Sequence, residues 1–443
     1  MEYIENLVSM LSDIVWGPPM LILLVGTGLY LTIILKGMQF WALPHALKLI
    51  FHKDKDGKGD ISHFAALMTA LAATVGIGNI VGVATAITLG GPGAVFWMWI
   101  TGIVGMATKY SEAILAVKYR SVGENGMMKG GPMYYLRDGA KLPKLGMMFA
   151  IFTAGAAFGI GNMTQSNAVA TLLNSQINIP TWITGLVLLT LTAVVILGGI
   201  KSIGKFTSRL VPVMIVAYVA CAVVILVMNA DKIGGAFGLI FYHAFNPIAA
   251  GGGFVGATIA AAIRFGVARG VFSNESGLGS APIAAAAAKT NIPAKQALVS
   301  MTQTFIDTLV VCTMTALIIL ISPFWQDGVS AGVLTMKSFS YHLGITGSIV
   351  IITATVLFAY STILGWSYYG EKAFEFIFGE KFIGLYRVLF ISFVMVGAMM
   401  KLEFVWNFSD LMNGMMAIPN LLALLILSKV ISGETKIYFK SIK

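Results

Sequence analysis

Long apolar runs recur along the whole chain and are separated by short polar segments. A run of about 20 apolar residues is long enough to cross a lipid bilayer as a helix. Eleven such runs are present, over residues 15–35, 64–89, 93–117, 146–173, 181–199, 210–229, 254–286, 297–322, 347–370, 383–400 and 408–430. No Pro-rich or Ser-rich linker interrupts their order. The pattern predicts an all-α polytopic membrane protein in which residues 1–443 form a single transmembrane domain.

Composition supports this fold class and excludes an ordinary soluble globular protein. Hydrophobic residues make up 57% of the chain and charged residues only 11%, whereas charged residues make up about 25% of a typical soluble domain. The net charge is +10, but the basic residues lie in short segments between the apolar runs and form no continuous basic face. We therefore expect membrane lipid, and no nucleic acid, as a partner.

The positions of lysine and arginine predict the orientation of the chain. With an odd number of spans, the two ends lie on opposite sides of the membrane. An outside amino end leaves few basic residues in the outer loops, namely Lys232, Lys337 and Lys401. The others lie mostly on the cytoplasmic side, as the positive-inside rule requires. The sequence thus predicts a multi-pass protein of the cell membrane with a cytoplasmic carboxyl end.

Two further features concern the loops and the start of the chain. The amino end is acidic where a signal peptide is basic, so the first apolar run is expected to stay in the mature protein. The outer loops 231–252 and 323–346 carry aromatic residues and glycines, which is typical of short helices at the membrane interface.

Cofactor and enzyme chemistry find little support in the sequence. Cys221 and Cys312 both lie inside apolar runs, and the five histidines are scattered, so neither a disulfide framework nor a metal cofactor is predicted. The chain has no His-Glu-x-x-His motif and no nucleophile elbow. We therefore expect no cofactor and no enzymatic activity.

Two of the spans carry residues that are poorly suited to a continuous helix. The second span contains Gly76, Gly78 and Asn79 in close succession, and the seventh contains Asn274 and Glu275 among serines and glycines. Interior glycine costs about 1 kcal/mol relative to alanine, and a charge at the bilayer centre costs at least about 2.5 kcal/mol. Close packing through small residues is the alternative, but such packing needs neither asparagine nor glutamate. The sequence predicts discontinuous helices at about 64–89 and 254–286.

Unwound backbone inside a membrane persists only where it lines a cavity or a bound polar ligand. A half-helix amino end suits a carboxylate, and free carbonyls suit a small cation, so a zwitterion with a cation fits both. Each broken span is the first member of a group of five consecutive spans. The two groups cover residues 64–229 and 254–430 and follow an extra helix at 15–35. Since five is odd, two groups of similar fold must face opposite ways, which is the inverted repeat of many secondary transporters.

Four motifs of the sequence resemble those of a known family. Gly78-Asn79-Ile80-Val81-Gly82, Gly130-Gly131-Pro132-Met133-Tyr134-Tyr135, Gly161-Asn162-Met163-Thr164-Gln165 and Phe272-Ser273-Asn274-Glu275 are similar to motifs of the alanine or glycine:cation symporter family, and the broken segments resemble those of leucine-transporter-like symporters. The resemblance covers about residues 14–430. It implies uptake of a small amino acid, alanine or glycine, with Na⁺ or in some members H⁺.

The resemblance also implies a set of substrate-binding residues. The backbone amides of Gly76 and Gly78, with the Asn79 side chain, are expected to hold the carboxylate. Polar groups around the residues Thr74, Phe272 and Asn274 are expected to meet the amino group, and Gln165 is expected to close the pocket from a third helix. Two alternatives stay open: Asn79 as a cap on its half-helix, and Gln165 as a hydrogen bond between helices.

A sodium site of the wider fold would use carbonyls beside the first break and oxygens of the ninth span. The corresponding residues are Ala72, Val75, Ala359, Ser361 and Thr362. Hard oxygen ligands of this kind suit Na⁺. Ile363 stands where the fold often has a second hydroxyl after the threonine, which leaves Ser361 as a substitute. The alternative is that both hydroxyls bond only to their own helix.

Charged residues inside the spans are candidates for coupling or gating. Gln303 and Asp307 share one helix face, and Asp307 could bind an ion, carry a proton, or pair with an arginine. Glu275 could cap the second half-helix or gate the inner route. Arg264 and Arg269 are expected to pair with these acids rather than contact lipid.

The preferred function is therefore a secondary active symporter that works by alternating access. An H⁺-coupled carrier, or one for a larger amino acid or a nucleobase, stays as an alternative. An ion channel is the alternative from another class, although two unequal broken segments in one chain provide no symmetric pore ring.

Overall fold

The fold was analysed in a computed structural model that describes residues 2–52, 57–124, 126–249 and 256–442. Its helices are α1 Glu2–Val15, α2 Pro18–Ile34, α3 Met38–Trp41, α4 Leu43–Leu49, α5 His63–Thr74, α6 Val81–Gly90, α7 Gly93–Lys118, α8 Pro132–Tyr134, α9 Pro143–Phe158, α10 Thr164–Ile177, α11 Thr181–Ile196, α12 Gly199–Met228, α13 Ala230–His243, α14 Ile259–Asn274, α15 Ala281–Ala286, α16 Pro293–Thr304, α17 Thr313–Leu320, α18 Ala331–Leu343, α19 Ile345–Phe378, α20 Ile383–Met399, α21 Leu402–Ile426 and α22 Ser428–Ser441. Strands β1 Ser121–Val122 and β2 Met128–Lys129 form one antiparallel hairpin, in which Ser121 pairs with Lys129.

Each predicted span coincides with helix in the structure. The fourth span is α9 and α10 joined by a π-helical turn at Gly159–Met163, and the eighth is α16 and α17 joined by another at Phe305–Cys312. By length and composition, six helices of the described chain could cross a membrane, or seven if the bent pair α1 and α2 is one span. The two halves of the second span, α5 and α6, and α11 are shorter apolar helices. The all-α polytopic fold is confirmed.

Both predicted breaks are present. The second span stops at α5, passes through an extended Gly76 and a 3-10 turn at Ile77–Asn79, and resumes as α6. The seventh span stops at α14 and resumes as α15 after three residues with positive φ, namely Glu275 (56°), Gly277 (91°) and Gly279 (83°). The predicted start of this span, residues 254–255, lies outside the described residues.

Local sequence explains where these two spans begin. Ser62 caps α5 by accepting the Ala65 N–H at 3.1 Å, and Thr258 caps α14 by accepting the Ala261 N–H at 3.1 Å. A side-chain hydroxyl at this position satisfies one of the backbone donors that a helix start leaves free. The two spans therefore share a hydroxyl cap as well as a central break.

The segments outside the spans define two faces of the molecule. The predicted interfacial helices are α13 and α18, although residues 250–252 of the first loop lie outside the described residues. We call their side the α13–α18 face. The β-hairpin, α3, α4 and α22 belong to the opposite side, called the hairpin face. Helix α7 runs from one to the other, because Gly93 contacts His243 at the end of α13 and Lys118 pairs with Glu434 on α22.

Candidate functional site

The first break lies against α19 and α10. A Cβ atom at Gly76 would collide with Thr362 Oγ1 and would lie 3.4 Å from Gln165 Oε1. At Gly78 a Cβ atom would lie 3.1 Å from Ser273 Cα and 3.3 Å from Phe272 Cδ1. Gly76 therefore cannot carry a side chain without displacing Thr362, and Gly78 is tightly packed, because the unwound backbone touches three other helices. The structure thus brings Gly76, Gly78, Gln165, Phe272 and Thr362 together, as predicted.

Asn79 holds the break in shape. Its Oδ1 accepts the Gly76 N–H at 3.0 Å, and its Nδ2 donates to Asp307 Oδ1 at 2.7 Å and to the Asp307 carbonyl at 3.2 Å. The side chain is fully buried. Asn79 therefore does act as a cap, as the alternative interpretation held, and its contact with Asp307 was not predicted.

Two buried glutamines leave acceptor oxygens without a described partner. Gln165 Nε2 donates to the Ile160 carbonyl at 3.0 Å, while its Oε1, which faces Gly76, accepts no hydrogen bond. Gln303 Nε2 donates to Thr74 Oγ1 at 3.1 Å, and its Oε1 is also unpartnered. A buried carbonyl without a donor is costly, so these oxygens suit an ammonium group or another donor.

The predicted ion-binding hydroxyls of α19 lie at the same break, where Gly76 faces both Thr362 Oγ1 and Gln165 Oε1. Ser361 Oγ donates to the Ala72 carbonyl at 3.3 Å and to the Phe358 carbonyl at 2.9 Å, and Thr362 Oγ1 donates to Phe358 at 2.9 Å. Both hydroxyls thus bond to their own helix, as the alternative held, yet both also face the break. Their neighbours Val75 and Ala359 are fully buried.

Asp307 anchors a polar cluster between α14 and the eighth span. Its Oδ2 accepts hydrogen bonds from Ser273 Oγ at 2.9 Å and from Thr308 Oγ1 at 2.8 Å. Asn274 joins through its Nδ2, which donates to Thr308 Oγ1 at 3.0 Å. Donors hold both carboxylate oxygens, so the cluster orients Asn79 and the end of α14.

The predicted arginine partners were wrong. Arg264 pairs with Asp13 at 2.5 Å, and Arg269 pairs with Asp410 at 2.5 Å. Both arginines precede the break by at least one helical turn, toward the α13–α18 face, so their side chains reach acids of α1 and α21 there. The predicted pairs with Asp307 and Glu275 do not form among the described residues.

Arg269 belongs to an aromatic layer that separates the break from a cavity. The Phe272 and Trp406 rings stack at 5.1 Å between centroids, and the Arg269 guanidinium lies 5.2 Å from the Phe272 centroid and 5.5 Å from the Trp406 centroid. Beyond this layer a cavity of about 770 Å³ extends between α6, α10, α18, α19 and α21. Phe272 thus forms part of a lid over the first break.

Charged residues of α7 line the second break and were missed by the sequence analysis. Lys109 Nζ donates to the Glu275 carbonyl at 3.0 Å, and Glu112 Oε1 accepts the Gly277 N–H at 3.1 Å. Glu275 itself accepts hydrogen bonds from Trp366 Nε1 at 2.7 Å and from Ser280, the cap residue of α15. Glu275 is the residue that ends α14, and its carboxylate contacts the Ser280 side chain rather than a backbone N–H of α15, so the predicted cap on the second half-helix does not form among the described hydrogen bonds. Lys109 and Glu112 had a detectable signal, since both are charges within the third apolar run.

The hairpin face is closed by backbone hydrogen bonds between the segment just before α5 and the segment just after α15. The Asp60 and Ile61 N–H groups donate to the Ala287 carbonyl at 2.8 and 3.1 Å, and the Lys289 N–H donates to the Ile61 carbonyl at 2.7 Å. The Arg120 guanidinium adds hydrogen bonds to the carbonyls of Lys58, Ala286, Ala288 and Thr290. The first break is therefore separated from this face by tightly bonded chain.

An ion pair fastens the hairpin to the end of α19 at the same face. Lys129 Nζ lies 3.0 Å from Glu375 Oε1 and 2.5 Å from Glu380 Oε1. Partial burial lowers the pKa of the Lys129 ammonium, but hydrogen bonds to Glu380 and Glu375 outweigh this, so its pKa is raised above the usual value. Lys129 therefore keeps its charge and its hold on α19 across the physiological pH range.

Two broken spans whose unwound segments meet polar side chains deep in an apolar bundle define a membrane carrier. The solved structure of MhsT in complex with L-phenylalanine has a similar fold, with a TM-score of 0.54 at 14% sequence identity, over 87% of this chain and 99% of that one. The fold alone follows from this likeness, and it is the fold that the broken helices predicted.

The family follows from closer relatives. The model of the sodium:alanine symporter family matches residues 1–443. The chain is 57% identical to the sodium/alanine symporter AgcS of Methanococcus maripaludis, over 98% of this chain and 97% of the relative. It is 50% identical to an uncharacterized transporter of Haemophilus influenzae, over 99% and 97%. The chain belongs to the sodium:alanine symporter family, and the prediction of a transporter rather than an enzyme is confirmed.

Proposed function

We propose that this protein is a secondary active symporter that takes up alanine or glycine together with Na⁺. The observation that supports this most directly is the convergence at the first break. Unwound backbone at Gly76, the unpartnered Gln165 Oε1 and the hydroxyls of Ser361 and Thr362 lie together there, inside the membrane-spanning bundle. Such a site offers acceptors for a cation and an ammonium group, and amides for a carboxylate.

The substrate carboxylate is assigned to the backbone amides of the first break. Asn79 Oδ1 accepts the Gly76 N–H, so the carboxylate is proposed to replace Asn79 as that acceptor or to bind beside it at Gly78. The ammonium group is assigned to Gln165 Oε1. Phe272 packs against Gly78, which supports a preference for a small side chain, as in alanine and glycine, over larger amino acids or nucleobases.

The coupling ion is assigned to the carbonyls of Ala72, Val75 and Ala359 with the hydroxyls of Ser361 and Thr362. Oxygen ligands of this type suit Na⁺. Coupling to H⁺ would instead assign a titrating role to Asp307 or Glu275. Donors already satisfy both carboxylate oxygens of Asp307, which supports a positioning role for this residue and favours Na⁺ over H⁺.

Alternating access is supported by the unequal accessibility of the two faces. The cavity approaches the first break from the α13–α18 face, where the Phe272, Trp406 and Arg269 layer covers it, while backbone pairing closes the hairpin face. We propose that the α13–α18 face is outside the cell and that spans 64–229 and 254–430 form the inverted repeats. Lys205 and Arg209 line a lipid-exposed groove on α12 at the hairpin side, which fits contact with anionic lipid.

Uptake of labelled alanine into proteoliposomes tests the proposal. An inward Na⁺ gradient should drive accumulation that a sodium ionophore abolishes, and an equal K⁺ gradient should not. Accumulation driven by an imposed H⁺ gradient alone would contradict Na⁺ coupling. Competition by excess glycine but not by larger amino acids or nucleobases is expected. Flux of Na⁺ without a fixed ratio to alanine would favour a channel.

A further inference from the structure

The two breaks differ in what satisfies their exposed backbone. At the first break, uncharged groups such as the Asn79 amide meet the backbone, and the Gln165 acceptor stays unpartnered. At the second break, charged side chains of α7 meet the backbone. Both breaks present a half-helix carboxyl end, which is a position where transporters of this kind bind a cation.

Lys109 occupies the cation position of the second break. Its ammonium donates to the Glu275 carbonyl at 3.0 Å, and Glu275 is the first residue after the end of α14. Lys109 is 1% exposed, and no described acid lies within ion-pair distance of it. The negative end of the helix dipole and this carbonyl are what a bound sodium ion would otherwise meet.

Glu112 occupies the matching anion position, one helical turn further along α7. Its Oε1 accepts the Gly277 N–H at 3.1 Å, in the middle of the unwound segment, and the Asn420 Nδ2 at 2.8 Å. Asn420 also donates to the Gly277 carbonyl at 2.8 Å. The free amide that a substrate carboxylate could use is therefore taken by a carboxylate of the protein itself.

Close approach of α7 makes both contacts possible. A Cβ atom at Gly105 would lie 2.8 Å from Ser276 Cβ, so glycine lets α7 pack directly on the unwound segment. Residues four and seven positions after Gly105 lie on the same helix face, and these are Lys109 and Glu112. One face of α7 thus carries the positive and the negative group that the second break requires.

We infer that Lys109 and Glu112 are a tethered substitute for a bound cation and carboxylate at the second break. The protein therefore transports a single sodium ion per amino acid, bound at the first break. Asp307 is assigned a positioning role instead, because its carboxylate oxygens accept hydrogen bonds from Asn79, Ser273 and Thr308. This inference rests on the proposed sodium–amino acid symport and adds its stoichiometry.

The test is the ratio of Na⁺ to alanine transported by the full chain in proteoliposomes, measured with both labels. The wild-type protein should move about one Na⁺ per alanine, and Lys109→Met should move about two, with a steeper Na⁺ dependence, because Na⁺ replaces the lost ammonium. Lys109→Arg should retain the wild-type ratio. Lys118→Met is the matched control, since Lys118 lies on the same helix but pairs with Glu434 at the hairpin face.

The outcomes separate this inference from the proposed function. A wild-type ratio of about two Na⁺ per alanine would overturn it while leaving symport intact. An active Lys109→Met protein with unchanged ratio and unchanged Na⁺ dependence would also overturn it. If Lys109→Met fails to fold, the wild-type ratio decides alone. Absence of Na⁺-driven uptake in the wild-type protein would instead refute the proposed symport.

Discussion

Removing the Thr362 hydroxyl tests the assignment of the sodium site most directly. Thr362→Val keeps the shape of a buried side chain that is 1% exposed and removes one oxygen at the first break. The hydroxyl also donates to the Phe358 carbonyl of its own helix at 2.9 Å. The Phe358 carbonyl lies inside α19 and keeps its main-chain hydrogen bond within the helix, so the fold should lose little stability. The expected effect is therefore on Na⁺ and not on folding.

The magnitude follows from the charge of the bound ion. Loss of a contact to a charged group costs about 1.5 to 3 kcal/mol, and about 1.4 kcal/mol corresponds to tenfold in affinity. The half-saturating Na⁺ concentration for alanine uptake should therefore rise roughly 10- to 100-fold. Thr362→Ser retains the oxygen and loses only the methyl group, so it should stay close to the wild-type value.

Two measurements check this prediction. Alanine uptake at varied Na⁺ gives the half-saturating concentration, and the Na⁺-dependent rise in melting temperature without alanine gives ion binding alone. Ser367→Ala is a further control, because Ser367 makes a comparable bond to its own helix on α19, at 2.7 Å to the Leu364 carbonyl. A wild-type Na⁺ response in a folded Thr362→Val protein would refute the assignment and place the ion elsewhere.

Three further predictions concern the first break and its lid. Asn79→Ala should weaken alanine binding by about 1 to 3 kcal/mol, measured by calorimetry, and unchanged affinity in a folded protein would remove its role. Gly76→Ala should abolish alanine binding and lower stability by about 1 to 3 kcal/mol, because the added methyl group meets Thr362; normal binding would contradict this packing. Asp410→Asn removes the charge partner of Arg269, so a cysteine placed at Thr74, which is buried beside the first break, should react faster with a polar thiol reagent added from the α13–α18 face, and an equal rate would show that the pair does not control access.

The breaks were predictable because their sequence conflicts with the surrounding apolar helix. Gly76, Asn79 and Glu275 each impose a cost on a continuous span, and that cost indicates function without any knowledge of packing. The partners of Arg264 and Arg269 were not predictable in the same way. They depend on how α1 and α21 approach α14, and Asp13 lies before the first predicted span. Side-chain pairing between distant helices follows from tertiary packing, which hydropathy does not encode.

Lys109 and Glu112 show the opposite case, a signal that was present and not used. Both are charged residues inside an apolar run, and they are three residues apart, so they share a face of α7. The rule that identified Glu275 as functional applies equally to them. What the sequence did not contain is the pairing itself, since the packing of α7 against the unwound backbone around Gly277 is a tertiary contact between distant spans.

The difference between the two breaks has an energetic consequence for transport. If Lys109 stays fixed while one Na⁺ and a zwitterion cross, each cycle moves one net charge. A potential of 100 mV then contributes about 2.3 kcal/mol, which supports roughly fiftyfold accumulation of alanine before the Na⁺ gradient is added. Two mobile ions would square that factor, to roughly two-thousandfold. A tethered cation therefore lowers the gradient that the carrier can build, and it makes each amino acid cost the cell fewer ions.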